Sequence, residues 1–300
     1  MKKKSAHKLK WKIMQKKEAD SLTIDSFMTE AVHTALVAQT KYFTLDGSAE
    51  GVHDLRIALR KLRACLSFVA LLYSVKSQKY WKNILQSWSI RTAEIRELDV
   101  LHAEWEKAGS FLKVNSLQGP LSECLLGHRN NLLALFNESL QTGKLTEDLQ
   151  AFLVWVLNEK TQGKEDSWQS YTDWRLKKWL KNLRQQMKNI DIMDNEAMHR
   201  LRIKCKKNRY ILEWYARTRK DQQAARIATV LKQVQDYLGD IHDLEPEVEL
   251  LNKLVDNNQE SKLLTEISLL SGWQAKRAYD ALQAFSAQGK DGYYNLVLEK

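Results

Sequence analysis

Three hundred residues with 44% hydrophobic and 9% aromatic side chains can bury a sizeable core, which excludes a disordered chain despite 28% charged residues. Eleven Gly and two Pro are too few for the closely spaced turns of sandwiches, propellers and barrels, so long helices with few connections remain. The 47 Lys and Arg against 37 Asp and Glu give a net charge of +10, which suits a polyanionic partner.

Residues 1–19 form a basic arm with eight lysines before Glu18. No apolar segment follows it, so it is not a secretory signal. A solvated arm or an auxiliary anion contact fits it. A helix is predicted over about 20–44, then a turn at Asp46-Gly47-Ser48. A second helix spans about 50–74, with Leu55, Leu59, Leu62, Leu66, Val69 and Tyr73 at helical spacing. A third, about 78–107, ends near Gly109-Ser110, and a fourth covers about 120–139, with Pro120 in its first turn and Gly143 closing it.

Residues 144–165 read as a connector with one short helix. Four helices follow, at about 167–190, 196–219, 222–256 and 259–288, with Asp194 as an N-cap and Pro246 as a kink or break. The tail, 289–300, is a short docking segment or frayed. The pattern is two four-helix units, 20–143 and 166–288, around the connector. The acids concentrate late: 240–300 hold eleven acids and six bases, so the basic surface belongs to the earlier residues. Cys65, Cys124 and Cys205 are widely spaced and odd in number, which reads as free thiols in a reducing cytoplasm. No apolar run approaches the about 18 residues of a membrane span.

The four-helix unit is duplicated. His53-Asp-Leu-Arg56-Ile-Ala-Leu-Arg60-Lys61-Leu-Arg63 aligns with His199-Arg-Leu-Arg202-Ile-Lys-Cys-Lys206-Lys207-Asn-Arg209 at an offset of 146 residues. Downstream, Arg96-Glu97-Leu-Asp99 lies near the register of Gly239-Asp-Ile-His-Asp243, with 144 residues between the aspartates. At about 100° per residue, His53, Arg56, Arg60 and Arg63 share an arc of roughly 80°, well away from the leucine stripe. His199, Arg202, Lys206 and Arg209 repeat that arc, and Tyr210 flanks it.

Cations at such spacing repel one another, by about 0.2–0.5 kcal/mol per pair. A bound anion reverses the sign, and the arginine fork matches phosphate. Each stripe alone would pass as a solvated face. Two in matched register can line one groove between the units. Lys82, Arg91 and Arg96 on the third helix, and Lys177, Lys178, Lys181 and Arg184 on the fifth, are candidate extensions. Asp99 and Asp243 are expected to orient motif arginines or cap turns. The cations around His53 and His199 disfavour a metal, and no HExxH or GxxxxGK[ST] pattern is present. No cofactor or catalytic residue is expected.

At these residues the sequence resembles the CHAD (conserved histidine α-helical domain) family, over about residues 20–288. The carriers are the two His/Arg motifs, Arg96-Glu97-Leu98-Asp99-Val100, and Leu238-Gly239-Asp240-Ile241-His242-Asp243. The resemblance implies an all-α fold of two antiparallel four-helix bundles, related by pseudo-twofold symmetry, with a basic channel between them. It also implies binding of inorganic polyphosphate, often at polyphosphate granules. The contacts implied are His53, Arg56, Arg60, Arg63, His199, Arg202, Lys206 and Arg209, with Lys61, Lys207 and Arg96 added. Lys61 and Lys206 stand where arginine is common, Glu97 replaces the usual aspartate, and Asp54 sits beside the first stripe. Family members are often fused to a triphosphate-tunnel domain with an ExExK signature. Glu245-Pro-Glu247-Val-Glu249 lacks the lysine, so a standalone, non-catalytic module is expected. RNA binding, an accessory role in phosphoanhydride processing, and a membrane-surface contact through the lysine arm are the alternatives.

Overall fold

The computed structural model describes residues 23–115, 119–159, 167–191, 194–242, 250–251 and 261–298. The basic arm, Pro246 and Asp243 lie outside the described residues. Within them the chain is helical and carries no strand.

Helix α1 (Ile24–Thr44) starts at Thr23. The Thr23 side chain accepts from the Ser26 N–H while Ser26 Oγ accepts from the Thr23 N–H, a reciprocal cap that satisfies two orphan donors. The predicted turn follows, with Asp46 and Gly47 in the left-handed region at φ 47° and 65°. Ser48 then caps α2 (Ala49–Val69). A 3-10 turn at Ala70–Leu72 leads to α3 (Val75–Leu112). Helix α3 runs past Gly109, where the sequence pointed to its end. Ala108 and Gly109 are buried, and the stop is Lys113 at φ 57°, its backbone N–H donating to the Gly109 carbonyl. Helix α4 (Pro120–Gln141) has proline in its first turn, and Gly143, at φ 73°, redirects the chain.

The residues read as a connector form α5 (Lys144–Asn158), which buries Leu145, Leu149, Phe152 and Val156 and packs on α1. Trp88 on α3 donates its indole N–H to Asp148 at 2.8 Å. Helix α5 is therefore a wall of the core. Helices α6 (Trp168–Asn189) and α7 (Asn195–Arg219) follow, and Asp194 caps α7 by accepting from the Ala197 N–H at 2.9 Å, as predicted. Then come α8 (Gln222–His242) and α9 (Ser261–Leu298). Helix α9 is continuous through the segment read as a tail.

The main hydrophobic cluster draws on α1 to α8. Its centre is aromatic: Phe27 of α1 meets Trp214 of α7 at 4.5 Å between ring centroids, and Phe68 of α2 meets Trp179 of α6 at 5.3 Å. Helix α6 also closes the end of α2, because the Tyr171 hydroxyl and Arg175 Nε both donate to the Phe68 carbonyl, at 2.7 and 3.1 Å. Those contacts satisfy a terminal carbonyl that the helix itself cannot. A second cluster joins the end of α3 and the start of α4 to α9 through Leu101, Trp105, Leu121, Leu263 and Leu270. These contacts leave α2 and α7, which carry the duplicated motifs, in direct contact.

Candidate functional site

The leucine stripe of α2 is buried: Leu55, Leu59 and Leu62 are 0% exposed. That burial fixes the rotation of the helix and turns the basic stripe toward α7. Helices α2, α3, α7 and α8 enclose a cavity of about 410 Å³. Helix α2 supplies His53, Arg56, Ile57 and Arg60, and α3 supplies Arg96, Glu97 and Val100. Helix α7 supplies His199, Arg202, Lys206, Arg209 and Tyr210, and α8 supplies Gln235. Both copies of the motif thus face one space. Six permanent cations meet a single carboxylate there, Glu97.

Several of these groups are held in place. Arg56 donates to the Ser89 carbonyl at 3.1 Å. Arg209 donates to Gln235 Oε1 at 3.1 Å and Glu213 Oε1 at 2.6 Å, and its guanidinium lies 4.8 Å from the centre of the Tyr210 ring. Lys61 stands 5.7 Å from that same ring. Burial, reinforced by Arg60, Arg96 and Arg202, pulls the Arg56 pKa down to about 10, and Glu97 opposes the shift only in part. Burial and Arg96 lower His53, with Arg60 and Arg56 adding and Asp54 opposing. These shifts report crowded positive charge that a bound anion would relieve.

The remaining candidates divide. Arg63 and Lys207 lie close to each other outside the cavity lining. Burial lowers both, Arg60 lowers Arg63 further, and Arg63, Lys82 and Lys204 lower Lys207 further. Arg91 is exposed and lies 4.6 Å from the Trp88 ring centre. Lys177, Lys178, Lys181 and Arg184 do not line the cavity. The three lysines are exposed on α6, with Lys178 at 5.2 Å from the Trp174 ring centre. Asp99 is buried, but its partner is no motif arginine. It accepts from Arg129 Nε at 2.6 Å, and Arg129 also donates to the Gly47 carbonyl at 2.8 Å. Asp99 therefore ties α3 and α4 to the α1–α2 turn. Gln235 lines the cavity and Glu213 pairs with Arg209 from outside its lining, and the motif comparison found neither. Glu213 was readable as the i+4 partner of Arg209; Gln235 carried no signal.

Among the described residues no cluster of His, Cys, Asp and Glu could hold a metal ion. Cys65 and Cys205 are buried, and burial pushes both thiols up to about 12. No described helix is long and apolar enough to cross a membrane.

The structure is thus a helical protein in which two His/Arg-bearing helices share one cationic cavity. The CHAD domain family model matches residues 28–252, and the chain belongs to that family. Among solved structures it is similar to the CHAD domain from the plant Ricinus communis, with a TM-score of 0.70 and 16% identity, covering 92% of this chain and 91% of that one. It is also similar to PptA from Streptomyces chartreusis, with a TM-score of 0.63 and 10% identity, covering 92% and 98%. At these identities the likeness is one of fold. No curated protein matches the chain.

Proposed function

We propose that the cavity binds inorganic polyphosphate without catalysing a reaction on it, and that the two motif-bearing units are related by a pseudo-twofold axis through it. Six permanent cations facing one carboxylate carry this reading. Family membership supports it, and so does the ligand chemistry: a linear phosphate chain offers only acceptor oxygens and negative charge, and the lining offers mainly donors and positive charge. A cavity of about 410 Å³ holds a short run of phosphate units, so a longer chain emerges from it. Arg63, Lys207 and Lys82 extend the basic surface that such a chain meets. Binding of this kind would bring the protein to polyphosphate deposits.

The test is fluorescence anisotropy of labelled long-chain polyphosphate at two salt concentrations. Affinity falls steeply with salt through counterion release, and short oligophosphates bind far more weakly because simultaneous contacts are lost. Replacing Arg56, Arg60 and Arg202 together by Ala weakens binding by more than about a hundredfold, since each charged hydrogen bond contributes about 1.5–3 kcal/mol. Unchanged affinity in the folded triple variant would remove the cavity from the site. Release of inorganic phosphate on incubation with magnesium would overturn the non-catalytic reading.

A further inference from the structure

Lys177, Lys178 and Lys181 of α6, which the sequence offered as possible extensions of the groove, lie instead on an exposed face outside the cavity lining. We propose that this face binds single-stranded RNA, independently of the cavity. Trp174, Lys177, Lys178, Lys181, Gln185 and Lys188 are exposed and fall within about 100° of arc. No acid occurs between Trp174 and Ile190. Helix α6 packs on α7 and α9, and this face is left to solvent.

Three features separate the face from the cavity. Trp174 is 49% exposed, and among the described tryptophans it alone is exposed. Its neighbour Lys178 lies 5.2 Å from the ring centre. An exposed indole beside a cation suits a stacked base followed by its phosphate. The same helix then borders an open groove of about 460 Å³, which it lines with Asn182, Gln185, Gln186 and Asn189. Side-chain amides donate and accept at once, as base edges require. The far wall carries Arg200 and Lys204, and the groove also contains Asp191 and Asp194. Arg200 pairs with Asp194 at 3.9 Å and with Glu196.

Bare polyphosphate makes poor use of such a surface. It has no hydrogen-bond donors for amide oxygens, no ring for Trp174, and it is repelled by Asp191 and Asp194. Those carboxylates can instead accept from base amino groups. A bilayer fits less well too, because Trp174 is the one large apolar side chain exposed on α6, whereas interfacial helices bury a broad apolar face.

The experiment measures binding of a labelled single-stranded RNA of about ten nucleotides, with and without saturating polyphosphate. An abasic ribose-phosphate chain of the same length is run beside it. RNA binding is expected to survive saturation with polyphosphate, to survive the Arg56/Arg60/Arg202 alanine variant, and to exceed abasic-chain binding. Trp174→Ala weakens it about tenfold and Trp174→Phe far less. Replacing Lys178, Lys181 and Lys188 by Ala makes the salt slope shallower by about 2. An unchanged far-UV spectrum checks the fold of each variant. Failure of RNA to bind, wild-type affinity in Trp174→Ala, or full displacement of RNA by polyphosphate would each overturn the proposal. So would binding of phosphatidylserine vesicles through these residues while RNA ignores them. Loss of polyphosphate binding alone touches the cavity reading and leaves this one standing.

Discussion

His53 stands among like charges: Arg56 and Arg60 on its own helix and Arg96 on α3, with Asp54 the one group opposing them. Burial and these cations hold its pKa below the ordinary 6.5. Without ligand, acidification therefore protonates the unfolded chain first, and stability declines as the pH falls below 6.5. Polyphosphate in the cavity reverses the local field and favours the imidazolium, so binding takes up a proton. Affinity should rise from about pH 7 to about pH 5.5, by at most about tenfold per pH unit for one linked proton. His53→Gln should flatten that slope. A pH-independent affinity would place the imidazole away from the polymer. At this scale the repeat offset, read with the helical arc, pointed to His53, Arg56, Arg60, His199, Arg202, Lys206 and Arg209, which line the cavity, but also to Lys61, Arg63 and Lys207, which do not. The sequence misled at Asp99. A carboxylate downstream of a basic motif says nothing about which cation reaches it, and Arg129 arrives from α4.

Helix ends were legible where side chains or backbone geometry punctuate them, as at Gly47, Gly143 and Asp194. They were not legible where another helix supplies the cap. Helix α4 has no side-chain cap of its own. The Leu121 N–H donates instead to Glu266 Oε2 at 2.9 Å, a carboxylate from α9 that is 8% exposed. Gly119 leaves room for it, since a Cβ at 119 would meet Glu266 Cδ at 2.7 Å. Gly119→Ala should therefore push the carboxylate away and cost about 1–2 kcal/mol, the usual loss on removing a cap. Glu266→Ala should cost a similar amount. Because both break one contact, the double variant should cost little more than either single one, and denaturant melts of the four proteins close the cycle. Additive losses would mean that Gly119 and Glu266 act separately. The role of α5 was hidden for a related reason. Its apolar residues show a short helix, but only packing on α1 shows that the helix belongs to the core.

Helices far apart in the chain share one aromatic centre: Phe27 of α1 and Phe68 of α2 are interleaved with Trp168 and Trp179 of α6 and Trp214 of α7. The all-helical class was readable from composition and periodicity, and the motif offset pointed to the two helices that meet at the cavity. The side on which each basic helix faces was not readable, because exposure of α6 depends on where α7 and α9 lie. The assembly has a common electrostatic consequence. Folding brings two cationic stripes together around a cavity, against their mutual repulsion, and the shared core must offset that cost. Salt screens the repulsion over a Debye length of about 10 Å at 0.1 M and about 3 Å at 1 M. The ligand-free protein should therefore melt at a higher temperature as sodium chloride rises from about 50 mM to about 500 mM, opposite to a protein held by surface ion pairs. Saturating polyphosphate should raise the melting temperature most at low salt; a concentration of about 100 times Kd contributes about 2.7 kcal/mol. The two stabilisations should not add, since both act on the same repulsion. In the Arg56/Arg60/Arg202 alanine variant the salt dependence should shrink and the polyphosphate shift should vanish. Calorimetry at two salt concentrations, with and without polymer, reads all of these at once. A ligand-free melting temperature that falls with salt would show that attractive pairs elsewhere outweigh the cavity.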